Sequence, residues 1–484
     1  MNFGSKISKN VISIFTGRGI SLLLSFLAIS LAARFLGVEK FGIFASTLAL
    51  IFILSKIIDF GLNQIVFRDF SRTKKDFAII NNAIFLRLIL LFTVVLIYNL
   101  SAFLISVPQK EVLLSNLLFI NVILSSKFMN FREILDVPIK ADLKMHYSMI
   151  FNVLDNLILL LMVLLMPIFN GGLYYFVIVY VVSNIPGFIL LILFIRKKYN
   201  FIIKINYSRI LYLVKEALPL LGFTILIAVF QQVDTIIIRV LESEHAAGIY
   251  SAAMRVTMPL GVFPVAVITT VFPIIVKNIS IDEKTNDTII TLVNKTLFII
   301  SFIAAVLISF KSEDIIVLIF GRDYVSSSIP VVILFWSYLF LYINNFTLDL
   351  QTAYQKQKIN LFYAIVVLVV DLLLIYLLLE KYSVTGVAVA KLIAIISGSF
   401  FLYTINKRIS FKHLPLNGSI VIWGCILLLI AFILSYLNFI IYLITSLILI
   451  LFCTIALKVF TNRELETLLK LVDKEKWKKF LIIK

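Results

Sequence analysis

The sequence predicts an all-α polytopic membrane protein with about fourteen transmembrane helices. Three observations carry that prediction. Of the 484 residues, 61% are hydrophobic and only 14% charged, and the mean hydropathy is +1.08. Apolar runs of about 18 residues or more recur from end to end, the length a helix needs to cross a bilayer. The runs are continuous rather than alternating, which excludes a transmembrane barrel.

In chain order the spans are predicted at 10–33, 41–66, 78–106, 112–137, 146–169, 172–195, 211–238, 246–275, 288–310, 328–350, 358–380, 383–406, 417–437 and 439–460. The first run, Val11 to Ala33, is longer than the roughly 7–15-residue apolar core of a cleavable signal, so it is expected to stay in the chain. Spans 4 and 10 carry charges near one end. Lys and Arg then set the orientation. With the N-terminus inside, the basic loops "RDFSRTKKD" (68–76) and "RKKYNFIIKINYSR" (196–209) fall in the cytoplasm, and the uncharged "NGG" (170–172) falls outside. Both termini are therefore expected to be cytoplasmic. The net charge of +18 is then mostly positive-inside bias, with no basic domain to hold nucleic acid. The basic cytoplasmic tail at 463–484 mixes Lys with Leu, Trp477 and Phe480, and reads either as a helix on the inner leaflet or as a solvated end.

No loop between spans exceeds about twenty residues, and the chain holds no Walker loop, HExxH, GxSxG or CxxC. A catalytic domain and an ATP-driven pump are thus not expected. Energy has to come from an ion gradient, the membrane potential or the substrate. Cys425 and Cys453 lie in apolar segments and form no disulfide framework, and His146, His245 and His413 have no metal spacing. No cofactor or metal is expected.

An internal repeat organises the chain. "ARFLGVEKFGIFAS" (33–46) corresponds to "IRVLESEHAAGIYS" (238–251), with Arg34 on Arg239, Leu36 on Leu241 and Glu39 on Glu244. After one residue of slip, Gly42-Ile43-Phe44 falls on Gly248-Ile249-Tyr250. "NGGLYYFVIVY" (170–180) likewise faces "VTGVAVAKLIA" (384–394). A near-constant offset across six spans implies a duplicated six-helix unit. Six is even, so both copies enter the membrane in the same direction, related by a pseudo-twofold axis along its normal with substrate between them. The predicted domains are an N-lobe at 1–206, a C-lobe at 207–410, two further helices at 411–462 and the tail.

The stretch "RFLGVEKFGIFAS", followed by "IDFGLNQIVFRD", resembles the opening of Wzx-type polysaccharide-unit flippases. These belong to the multidrug/oligosaccharidyl-lipid/polysaccharide (MOP) exporter superfamily. "LPLLGFTILIAVFQQVDTIIIRVL" with "AGIYSAAMRV" resembles the second-lobe counterpart. The resemblance implies a MATE-like fold in a bacterial plasma (inner) membrane, with helices 1, 2, 7 and 8 lining a central cavity. It implies a flippase that moves undecaprenyl-diphosphate-linked oligosaccharide units, of O-antigen or capsule type, from the cytoplasmic to the outer leaflet by alternating access. A polysaccharide polymerase and chain-length proteins are the implied partners. H+ or Na+ is the implied coupling ion. The alternatives are a multidrug/cation antiporter of the same superfamily and a non-transporting scaffold of a glycan assembly complex.

Charges within the spans are the candidate functional residues. The bases are Arg18, Lys56, Arg87, Lys127, Arg255 and Lys391, and the acids Asp59, Asp155, Asp234 and Asp371. A charge at the bilayer centre costs about 2.5–3.5 kcal/mol or more, so each one needs a partner or a role. Arg87 and Asp155 reach similar depth on spans 3 and 5 and are expected to pair. Asp371 and Lys391 also meet in depth, as a structural pair or an ion-coupling site. Lys127 is expected to snorkel to the cytoplasmic side. Lys56 and Asp59, three apart on span 2, share a face and pair. Asp59 also stands where an inner gate would close. Asp234 is bridged to Arg239 or Arg34, the bases of the lobe-interface loops, or else forms an ion-responsive outer gate. Arg18 and Arg255 have no acidic neighbour. With Lys56 they are the candidate ligands of the substrate diphosphate, because Arg grips phosphate oxygens through paired N–H bonds. The competing reading bonds them to carbonyls freed by Pro259, Pro264 or the glycines. Gly17 and Gly19 are expected to leave space around Arg18. The prolines at 259, 264 and 273 are expected to kink span 8. Gln231, Gln232, Asn344 and Asn345 are sugar contacts by residue type alone.

Overall fold

The computed structural model describes residues 3–72, 76–199, 205–278, 283–405, 418–457, 459–460 and 464. The tail at 463–484, Glu464 apart, lies outside the described residues. In chain order the helices are α1 (Phe3–Leu36), α2 (Val38–Asp59), α3 (Leu62–Arg72), α4 (Phe77–Leu104), α5 (Gln109–Leu124), α6 (Phe131–Leu135), α7 (Val137–Ala141), α8 (Met145–Leu164), α9 (Leu173–Val182), α10 (Ile185–Lys198), α11 (Tyr207–Leu241), α12 (Glu244–Thr257), α13 (Val262–Asn278), α14 (Glu283–Phe320), α15 (Ser328–Ala353), α16 (Gln357–Ile405), α17 (Gly418–Leu434) and α18 (Phe439–Ala456). Among the described residues there is no strand.

Local chemistry sets the helix ends. Gly37, at φ 77°, turns the chain from α1 into α2. The side chains of Asp76, Asn206 and Ser243 each accept a hydrogen bond from a first-turn N–H of α4, α11 and α12.

Ten helical stretches among the described residues are long and apolar enough to cross a membrane. The number is compatible with fourteen spans, and the difference has a physical origin. Spans 4 and 8 are broken into pieces, and span 13 is the short apolar α17. Spans 11 and 12 run together as α16, which bends at Ser383 (φ 51°). Within α16 a side chain at Gly386 would collide with the Leu378 carbonyl.

The chain forms two compact units. The first comprises Met1–Pro259, Ile319–Ser327 and Asp371–Val387, and the second Leu260–Leu318, Ser328–Val370 and Ala388–Lys484. In the first unit α1 lies along α8, and α2 packs on both α11 and α12. Val66, Phe70, Leu86, Ile134 and Leu213 form a core joining α3, α4, α6 and α11. In the second unit Ile275, Ile290 and Phe346 join α13, α14 and α15, and Trp423 with Ile299 and Ile450 joins α14, α17 and α18. Large apolar side chains such as Phe92, Phe103 and Ile455 stand more than two-thirds exposed. They suit acyl chains rather than water.

Candidate functional site

Span 4 is discontinuous, and its break organises the polar interior of the first unit. The run "SSKFMNFRE" (125–133) carries six hydrogen-bonding or charged side chains, too many for a lipid-facing helix. α5 stops at Leu124, and a single tight turn covers Ser126–Phe128. Met129 follows at φ 52° before α6 begins. Carbonyls freed in this way must be satisfied by protein when they lie at membrane depth. Here α2, α3 and α4 satisfy them. Asn63 Nδ2 donates to the Met129 carbonyl (2.7 Å), Lys56 Nζ to that of Phe128 (3.4 Å), and Arg87 to that of Asn130. In return Asn130 Nδ2 donates to the Ser55 carbonyl (2.8 Å).

Two buried ion pairs flank the break, and they correct the expected pairing. Arg87 binds Asp59, not Asp155, and also donates to Asn63 Oδ1 (3.0 Å). Asp155 binds Arg132 and accepts from the Gly187 N–H (2.9 Å). The reason is the break itself. An unbroken span 4 carries Arg132 towards the cytoplasmic end, whereas the interrupted chain turns it back against α8. Asp59 is also not bridged by Lys56. α2 ends at Asp59, and the Lys56 amine turns instead to the Phe128 carbonyl and the Phe52 ring, 4.7 Å from its centroid.

Lys127 does not snorkel. Its ammonium lies over the Tyr180 ring, 4.7 Å from the centroid. Arg255, on the last turn of α12, is within Coulombic range of both Lys127 and the Tyr180 phenol. Its guanidinium approaches Met258 Sδ at 4.0 Å. Neither cation makes an ion pair among the described residues. A cation–π contact contributes about 0.5–2 kcal/mol, less than the cost of a lysine at membrane depth, and the like charge of Arg255 opposes it further. Tyr180 is held firmly. Asn121 and Asn184 both donate to its carbonyl (3.2 and 2.7 Å), and Phe44 meets its ring edge-on at 5.3 Å.

The other predicted residues are dispersed. Arg18 is exposed on α1 and makes no hydrogen bond or ion pair among the described residues. Gly17 is not open space beside it, because a side chain there would strike Met149 of α8; Gly19 has nothing within 4 Å. Asp234 is buried and accepts from the Tyr250 hydroxyl. Arg239 is bound to Glu111 (2.7 Å) and Glu244 (3.3 Å) instead. Arg34 is exposed beside Gly321. Asp371 falls in the first unit and Lys391 in the second, each buried. In span 8 the α-helix is interrupted by the 3₁₀ turn Met258–Gly261, which contains Pro259. Pro264 sits in the first turn of α13, where proline is tolerated, and α13 continues past it. Asn344 is buried and bonded to Tyr363, Ser399 and the Ile395 carbonyl, so it ties helices together rather than facing a ligand. Gln231 and Asn345 are exposed, and Gln232 is half-buried.

Two groups escape a reading by depth alone: Arg132 with Asn130, and Tyr180. The density of polar residues at 125–133 is the visible signal for the first pair. Nothing in the sequence marks Tyr180 among the other tyrosines.

The family described as polysaccharide biosynthesis protein matches residues 7–279, more than half of the chain. The chain belongs to the polysaccharide biosynthesis protein family, within the MOP superfamily. The family described as lipid II flippase MurJ matches residues 144–461, so polysaccharide biosynthesis and flippase families overlap along the middle of this member. The superfamily resemblance carried by "RFLGVEKFGIFAS" and its second-lobe counterpart is thus borne out. These are families of flippases and transporters, not of catalytic enzymes. The capsular polysaccharide biosynthesis protein CapF of Staphylococcus aureus is 27% identical over 219 residues, 43% of this chain and 54% of that protein. The match therefore spans about half the length of this curated relative. Among solved structures, lipid II flippase MurJ in an inward closed conformation superposes with a TM-score of 0.76 at 19% identity, covering 93% of this chain and 99% of that one. An inward-facing MATE family multidrug transporter of the MOP superfamily gives 0.59 at 14%, covering 80% and 96%. The Vibrio cholerae MATE transporter VcmN in its bent form gives 0.53 at 15%, covering 83% and 99%. At these identities the likeness is one of fold.

Proposed function

We propose that this family member is a flippase. It carries undecaprenyl-diphosphate-linked oligosaccharide repeat units, of O-antigen or capsule type, from the cytoplasmic to the outer leaflet of a bacterial plasma membrane. One observation supports an anionic cargo above all. Asp59 and Asp155 are each neutralised by an arginine, which leaves Arg18, Lys56, Lys127 and Arg255 without a carboxylate in ion-pair contact among the described residues. A cation antiporter wants the opposite balance.

In this reading the lobes at 1–206 and 207–410 alternate in access. Arg18, Lys56 and Arg255 draw in the sugar-diphosphate head group while the prenyl tail stays in lipid. With both termini cytoplasmic, moving two negative charges outward gains up to about 4.6 kcal/mol at 100 mV. Proton or sodium antiport resets the carrier, through Asp59, Asp234 or the Asp371 and Lys391 positions. Product passes to a polymerase and chain-length proteins.

A second reading, transport of lipid II, is favoured by the match with MurJ over nearly its whole length. The test uses the purified full-length protein in liposomes with a fluorescent prenyl-diphosphate oligosaccharide, and lipid II in parallel. The label is expected to become accessible from the opposite leaflet. Label that stays protected sinks the flippase reading, and transport of lipid II alone selects the second.

A further inference from the structure

We propose that Tyr342, Asn345 and Asp349, on one stripe of α15, bind sugar hydroxyls, and that Asp349 makes the site select neutral or amino sugars over uronic acids. The assignment rests on the flippase reading above and adds to it a contact for the sugar.

Three observations carry it. First, α15 opens at one place. Among its described residues from Pro330 to Gln351, only Asn345 and Asp349 are exposed. A helix that meets lipid exposes large apolar side chains, as α18 does with Phe452 and Ile455. α15 exposes none over this stretch. A carboxylate and an amide are costly against acyl chains, so the opening faces water. Asn345 stands about 12 Å along the helix from its end at Ala353, well above the last turn.

Second, the opening continues a hydrogen-bonding stripe. Tyr338, Tyr342, Asn345 and Asp349 follow the i, i+4, i+7, i+11 spacing of one helix face. Tyr342 is 4% exposed, and its hydroxyl has no hydrogen-bond partner among the described residues. Tyr338 meets its ring edge-on, with 5.1 Å between centroids. Tyr342 packs with Val271 and Ile275 of α13 and Ile290 and Val293 of α14. The other sides of α15 are engaged. Phe346 and Leu350 join that same core, and Asn344 is tied to α16. Asn345 and Asp349 make no hydrogen bond or ion pair among the described residues. A buried hydroxyl without a partner carries a desolvation penalty, and a ligand hydroxyl lying along the stripe relieves it.

Third, the set of groups selects a class of ligand. A sugar hydroxyl donates and accepts at once. Asp349 accepts through two oxygens, Asn345 offers two donors and an acceptor, and the Tyr342 phenol does both. Two neighbouring hydroxyls can share one carboxylate, through charge-assisted bonds stronger than neutral ones. The same carboxylate repels a phosphate or a uronic acid. The stripe therefore suits the uncharged part of a head group, or an amino sugar, and leaves the phosphates to other residues.

The experiment follows flipping of two fluorescent prenyl-diphosphate disaccharides by the purified full-length protein in liposomes. One is neutral, and the other carries a uronic acid in place of a hexose. Binding of prenyl diphosphate without sugar is measured beside them. The wild type is expected to flip the neutral compound several-fold faster. Asp349→Asn should slow the neutral compound about tenfold and bring the two rates together. Asn345→Ala and Tyr342→Phe should slow it several-fold. Binding of the bare prenyl diphosphate should hold at the wild-type value, and so should the melting temperature of Asp349→Asn and Asn345→Ala, whose side chains hold no partner in the fold. Neutral flipping at the wild-type rate in Asp349→Asn and Asn345→Ala overturns the sugar site and leaves the flippase reading standing. An equal loss of bare prenyl-diphosphate binding in these variants also overturns it. An Asp349→Asn protein that keeps the ratio of neutral to uronic flipping but loses its response to a proton or sodium gradient overturns it in favour of ion coupling. A wild type that flips neither compound overturns the flippase reading with it.

Discussion

Gly42 on α2 and Gly248 on α12 meet backbone to backbone, and the contact is reciprocal. A side chain on Gly42 would collide with the Glu244 carbonyl and come within 2.8 Å of the Gly248 nitrogen. A side chain on Gly248 would collide with the Val38 carbonyl and its side chain. Glu244 follows Val38 by the same 206 residues that separate Gly248 from Gly42. Each helix therefore does to the other what the other does to it, the mark of a twofold contact. The parallel repeat is visible here as a physical contact, already in its 206-residue register at Val38.

This crossing predicts a steric limit. Gly42→Ala or Gly248→Ala forces α2 and α12 apart, because the obstacle is backbone and cannot rotate away. The expected cost is about 1–3 kcal/mol, read as a lowered melting temperature in detergent. Gly19→Ala, with nothing nearby, should melt with the wild type. Equal melting of all three would show that the close approach is not required.

Asp59 and Arg87 predict a non-additive pair. Removing one partner strands the other in a buried site and costs about 3–5 kcal/mol. Arg87→Met and Asp59→Leu should each reduce folded yield and thermal stability sharply. The double substitution should recover much of the loss. Simple additivity of the two singles would reject the pairing.

Asp234 and Tyr250 offer a milder test. Tyr250→Phe takes away a donor from a buried carboxylate, at an expected cost of about 1–3 kcal/mol. Asp234→Asn keeps the shape and removes the charge. If Asp234 couples transport to protons or sodium, flipping by this variant should lose its dependence on the imposed gradient. A gradient response identical to the wild type removes Asp234 from the coupling candidates.

Arg18 and Arg255 predict a loss of transport without a loss of protein. Arg18→Ala and Arg255→Ala should abolish flipping in liposomes while expression and melting stay near wild type, since neither side chain carries an ion pair among the described residues. Retained flipping in both variants rejects the cationic site.

Hydropathy alone determined that this chain is an all-helical membrane protein, because no other fold hides so long a succession of apolar runs. The repeat was legible too: paired motifs such as Gly42-Ile43-Phe44 and Gly248-Ile249-Tyr250 survive where the backbones touch and only glycine fits. The interruption of span 8 follows from Pro259, which cannot donate to the helix. The pairing of charges was not legible. Depth along an ideal helix set Arg87 beside Asp155, but α5 stops at Leu124. The interruption rotates Arg132 to Asp155 and leaves Asp59 for Arg87. Helix rise gives height; azimuth and a mid-membrane break are set by packing against other helices, which one strand of sequence does not encode locally. For the same reason only the tertiary structure brought Lys127 over Tyr180, from two elements far apart in the chain.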